Sequence, residues 1–142
     1  MKIILTFLAG IVAAIAISRL PKNEAAEKRQ KIEEVFADRP QQSFSDFYTT
    51  FFKTSGVPEE VVVGVRKVLE EQLDADLTRL VDSDDFSKNL SFFWDFDSMA
   101  DVEVVCALEQ EFKIKISDKD AENSQTVKEI VELVWAKVKE NA

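Results

Sequence analysis

The sequence predicts an all-α protein. Apolar residues recur at three- and four-residue spacings in several separate stretches, and signals for helix starts stand ahead of most of them. No stretch alternates apolar and polar residues for long enough to suggest a strand. A chain of 142 residues then allows one compact helical bundle with appendages.

The chain opens on an apolar run, Ile3 to Ile17, interrupted by Thr6 and Gly10. Extended to Leu20 it covers roughly 27 Å as a helix, close to a hydrocarbon core of about 30 Å. Residues 1–20 are expected to be an N-terminal membrane anchor, a transmembrane helix over residues 3–20. The competing reading is a signal peptide cut after Ala14-Ile15-Ala16. Only Lys2 precedes the run, whereas Arg19, Lys22, Lys28, Arg29 and Lys31 follow it, which favours the anchor and keeps the rest of the chain on the cytoplasmic side.

Residues 21–42 read as a charged helical linker. Ile32, Val35 and Phe36 are its few apolar residues, so a solvated spacer leading away from the membrane and ending near Arg39-Pro40 is expected. Ser43 to Lys53 carries Phe44, Phe47, Tyr48, Phe51 and Phe52 at helical spacing, with Ser43 and Asp46 placed as an N-terminal cap. It is expected to be an extra core helix, with a partner-binding groove as the alternative.

Gly56-Val57-Pro58-Glu59-Glu60 starts a strong helix, since proline and acids suit the first turn. Val61, Val62, Val65, Val68, Leu69 and Leu73 form its apolar face. An acidic connection from Asp74 to Asp97 follows, tethered by Leu77, Leu80, Phe86 and Leu90. Its Asp82-Ser83-Asp84-Asp85 lacks the glycine and the distant glutamate of a calcium loop, so no metal is assigned.

Ser98 opens the central helix, which runs to Phe112. Met99, Val102, Val105, Cys106, Leu108 and Phe112 form an apolar stripe, and Asp101, Glu103, Glu109 and Glu111 are left for water or a partner. Cys106, the sole cysteine, is therefore expected as a core thiol. A hydroxyl at this helix start is favourably placed to bear a phosphate, among unpaired N–H groups and the positive end of the dipole. The same serine, three residues before Asp101, also reads as an ordinary N-cap worth about 1 kcal/mol.

After an extended link, Lys113 to Ile116, a short helix is expected near Ser117 to Glu122. Thr126-Val127-Lys128-Glu129 has capping-box spacing and opens the last helix, with Val127, Ile130, Val131, Val134, Trp135 and Val138 on its apolar face.

Composition narrows function. The chain has no histidine, three glycines and one cysteine, which removes the commonest general base, any glycine-rich phosphate loop and any multi-cysteine metal site; an enzyme is not expected. Residues 41–142 hold eleven Lys/Arg against twenty-two Asp/Glu. That acidity argues against nucleic acid and suits docking to basic patches on other proteins.

Asp97-Ser98-Met99, the spacing of Val102 to Phe112 and the later Thr126-Val127 resemble an acyl carrier protein, over residues Val61 to Val138. The resemblance implies a three- or four-helix carrier bundle, core 57–140, inside a domain of residues 43–142 that begins with the extra aromatic helix. It implies a 4'-phosphopantetheine arm on Ser98, with Asp97 as its partner in the triplet. A phosphopantetheinyl transferase loads such an arm from coenzyme A, and acyl-transferring or acyl-activating enzymes then work on a thioester at its end. Met99, Asp101, Val102, Glu103 and Glu109 would form the docking face, and fatty acyl or D-alanyl groups are the candidate cargoes. Because loading is cytoplasmic in that family, the resemblance also supports a membrane-anchored carrier facing the cytoplasm. Two features depart from the family pattern. The insertion Ser91-Phe92-Phe93-Trp94-Asp95-Phe96 lengthens the connection, and Asp95-Phe96 replaces the small residue that commonly precedes the triplet. They motivate the alternative, an unmodified carrier-fold scaffold held at the membrane.

Overall fold

The computed structural model describes residues 22–142. They form seven helices: α1 (Lys22–Val35), α2 (Phe44–Phe51), α3 (Glu59–Leu73), α4 (Phe93–Phe96), α5 (Ala100–Phe112), α6 (Asp118–Glu122) and α7 (Val127–Glu140). Among the described residues there is no strand, and the single sheet-like contact is an antiparallel bridge between Asp85 and Thr126.

Helix α3 is the hub, packing on α5, α2 and α7. Its Val61, Val62, Val65 and Leu69 are buried at the centre of the core. Gly64 sets how closely α3 and α5 approach, because a Cβ there would stand 2.7 Å from Cζ of Phe112. The ring of Phe112 thus occupies the space a side chain would need.

Local signals set the helix ends. Ser43 Oγ accepts the amide of Asp46 at 3.1 Å and starts α2. Thr126 and Glu129 form the reciprocal capping box of α7. The connection between α3 and α4 also caps α7, since the amides of Val127 and Lys128 donate to the carbonyls of Asp84 and Asp82, both at 2.9 Å. Donors that a helix start leaves unpaired are thereby satisfied.

The aromatic helix joins the core through a buried cation. Arg66 of α3 donates to the carbonyls of Gln42 (2.8 Å) and Ser43 (3.2 Å) and pairs with Glu70 at 3.0 Å. Its guanidinium also lies 4.6 Å from the ring centre of Phe44 and 5.2 Å from that of Phe47. Arg66, a charged residue outside the apolar face of α3, is therefore buried, because α2 covers it.

One expectation is corrected here, and another lies beyond what the structure describes. Residues 21–42 are no solvated spacer: α1 folds back onto the bundle and buries Ile32 and Phe36 in the same core as α3 and α5. Each such side chain contributes about 1.5–3 kcal/mol, enough to hold a short helix in place. Arg39 pairs with Asp84, and Glu33 with Arg79 at 2.7 Å, on either side of that contact. The expected transmembrane helix, with the anchor at residues 1–20, falls outside the described residues, and among those described no helix is long and apolar enough to cross a membrane.

Candidate functional site

The aromatic insertion folds before the serine is reached. Phe92 and Phe93 are buried and stacked, with centroids 4.3 Å apart. Trp94 lies against Phe86, and its indole Nε1 donates to the Phe86 carbonyl at 3.0 Å. These rings turn toward the core, and the chain leaves α4 into an exposed turn, Asp97-Ser98-Met99.

Asp97 organises that turn. Its Oδ1 accepts the Met99 amide at 3.0 Å, and its carbonyl accepts the Ala100 amide at 3.2 Å. The residue that holds the start of α5 is therefore Asp97, not Ser98 as an N-cap reading would have it. Helix α5 begins at Ala100, and the Ser98 hydroxyl is bonded to no group among the described residues. Ser98 stands exposed two residues ahead of a 13-residue helix whose N-cap position, Met99, contributes no side-chain hydrogen bond.

Around this turn α5 buries Ala100, Val104 and Leu108, a stripe with four-residue spacing. Of the expected stripe, Leu108 is buried and Val105 and Phe112 are partly buried, while the rest turns outward. Met99 is 55% and Val102 48% exposed, and Cys106 is exposed, which corrects its assignment as a core thiol. Asp101 and Glu103 are exposed beside Met99 and Val102, so acidic and apolar groups share one surface. Glu109 stands apart: half-buried, it accepts the Ile116 amide through Oε2 at 2.9 Å and braces the link after α5. Burial first, then the neighbouring Asp97 carboxyl, raise the Glu103 carboxyl above its ordinary 4.5.

A groove of about 560 Å³ opens between α5, α6 and α7. Val105, Ile116, Ile130 and Leu133 line it, Phe86 and Trp94 join from the long connection, and Asp101 and Val102 carry it toward the serine turn. An accessible hydroxyl ahead of the positive end of α5 and an apolar groove alongside fit a phosphate-linked arm with an acyl end.

Comparison with known proteins decides the family. A family model described as a phosphopantetheine attachment site matches residues 64–134, half of the chain. An acyl carrier protein of Cyanidium caldarium is 36% identical over 84 residues, 59% of this chain and 93% of that protein. One from Thermosynechococcus vestitus is 32% identical over 79 residues, covering 56% and 93% of the two chains. One from Caulobacter vibrioides is 37% identical over 78 residues, covering 55% and 95%.

The chain belongs to the acyl carrier protein family. It is a carrier and not an enzyme, bearing acyl groups on a covalently attached 4'-phosphopantetheine. As an acyl carrier protein it works with a phosphopantetheinyl transferase and with acyl-handling enzymes. The expected membrane-anchored location is overturned: no described helix can cross a membrane, the segment meant to lead away from one is docked on the bundle, and the relatives are acyl carrier proteins.

One contributor to the site lay hidden in the sequence. Lys28 of α1, read there as a linker charge, is half-buried with its Nζ donating to the carbonyl of Leu73. It lies 6.0 Å over the ring of Phe93, beside the serine turn. No local spacing announces such a contact, because it joins residues far apart in the chain.

Proposed function

We propose that Ser98 bears the 4'-phosphopantetheine arm. The exposed, unbonded hydroxyl in a turn held by Asp97 carries this reading. The hydroxyl supplies the oxygen of the phosphodiester, and the positive end of the α5 dipole offsets its charge. Once attached, the arm supplies a thiol on which acyl groups are held as thioesters. The apolar groove between α5, α6 and α7 supports a hydrocarbon chain as the cargo it shelters. Met99, Val102, Asp101 and Glu103 form the docking face, the apolar pair giving contact area and the acids steering basic partners. Glu109 has a lesser part there, since its carboxylate is already engaged. On this reading the carrier domain spans residues 43–142 with its core at 57–140, and α1 is an addition docked on it.

Intact-mass measurement tests the assignment. Incubation with coenzyme A and a phosphopantetheinyl transferase should add one arm to the wild-type chain and none to Ser98→Ala. An arm that persists in Ser98→Ala, or a wild-type chain that takes none, rules Ser98 out.

A further inference from the structure

We propose that Lys28 is a positioning residue of the loading site, bracing the Asp97 turn that presents Ser98 from a helix outside the matched family region. The proposal rests on the reading of Ser98 as the attachment residue. Helix α1 packs against α4, and Lys28 lies on the side turned toward it. Its ammonium meets two elements at once. It donates to the carbonyl of Leu73, the last residue of α3, an acceptor that a helix end leaves without an internal partner. It sits over the Phe93 ring, 6.0 Å from the centroid, and thereby fixes the helix that leads into the turn.

Charge adds to these two contacts. Burial lowers the Lys28 ammonium from its ordinary 10.5, and the carboxylates of Asp74 and Asp97 oppose that effect. The geometry runs through α4: the Phe93 ring under the ammonium belongs to the helix whose C-cap is Asp97, and Asp97 in turn accepts the Met99 amide. Lys28 makes no hydrogen bond to Ser98 among the described residues; it acts through α4 and the turn that follows.

The experiment compares the wild-type chain with Lys28→Met, which keeps the apolar stem, and Lys28→Arg, which restores the charge. Arm transfer from coenzyme A by a phosphopantetheinyl transferase is followed as a function of carrier concentration. Amide exchange at Met99 and at core Val131 is measured on the unmodified proteins. Lys28→Met should raise KM about threefold to fivefold, within the span of a cation–ring contact, and leave kcat nearly unchanged. Exchange at Met99 should quicken while Val131 keeps its protection, and Lys28→Arg should recover both. If Lys28→Met melts too readily for kinetics, Lys28→Gln replaces it. Wild-type loading and wild-type Met99 exchange in the charge-free variant overturn the proposal and leave the Ser98 assignment standing. Equal loss of protection at Met99 and Val131 also overturns it, since that reports general loosening. A wild-type chain that accepts no arm removes the Ser98 assignment and this proposal together.

Discussion

Arg39 grips Asp84 with two prongs, Nη1 to Oδ2 at 2.8 Å and Nη2 to Oδ1 at 3.0 Å. The aspartate is buried and also accepts the Val81 amide and the Asn89 side chain, so its charge is fully engaged. Arg39→Met would leave that carboxylate short of its cation. The expected loss is about 3 kcal/mol, the cost of an unpaired buried charge. Asp84→Asn combined with Arg39→Met should cost less than the sum of the two single changes, because no stranded charge remains. Urea unfolding of the four proteins measures the coupling; strict additivity would show that the pair is not the source of the effect.

Glu103 should make the fold less stable as pH rises. Its carboxyl is raised by burial and by Asp97, so the folded chain holds that proton more tightly than the unfolded chain. The resulting stabilisation is complete below the unfolded value and is lost as pH climbs through the folded one, above 4.5. Glu103→Gln should therefore match the wild type in acid and melt higher at neutral pH. Because Glu103 is exposed, the gap is expected to be modest and to shrink with salt. Thermal melts across that range check the direction, and a gap that widens toward acid contradicts it.

Trp94 should report what enters the groove. Its ring lines the cavity while its Nε1 is held by the Phe86 carbonyl at 3.0 Å, so a hydrocarbon chain arriving alongside displaces water from one face only. In a Trp135→Phe background, loading with a long acyl arm should shift emission to shorter wavelength relative to the unacylated arm. No shift on acylation would place the cargo elsewhere.

The acids beside Met99 and Val102 should govern encounter more than grip. Asp101→Lys is expected to slow association with a basic acyl-handling partner by about tenfold at low salt and much less at high salt, leaving dissociation nearly unchanged. Stopped-flow association rates at several ionic strengths test this. A salt-independent loss would point to a direct contact instead.

Local chemistry was legible and rotation was not. The Thr126–Glu129 box and the Ser43 cap depend on residues three apart, and both form as their spacing requires. The serine turn was legible from Asp97-Ser98-Met99, although the hydroxyl that looked like a cap leaves that task to Asp97. The central helix carries two usable apolar stripes, and only packing selects Ala100, Val104 and Leu108 over the one through Cys106. Arg66 and Lys28 escaped for the same reason. The spacing within one helix says nothing of either, because the carbonyl partners of Arg66 lie more than about 20 residues back in the chain and those of Lys28 belong to two other elements.

The main-chain bonds that tie the long connection to the head of α7 make one wall of the groove stiff. Accommodating a longer guest along that side would strip partners from Val127 and Lys128. The opposite side, Lys113 through Ser124, has side-chain ties instead: inward anchors such as Ile114 and Ile116, the carboxylate of Glu109, the Asp120–Lys137 pair at 3.0 Å and Asn141 donating to the Lys113 carbonyl at 3.0 Å. Expansion with guest length should therefore be one-sided, a hinged flap swinging on the Glu109 latch while the other jamb stays fixed.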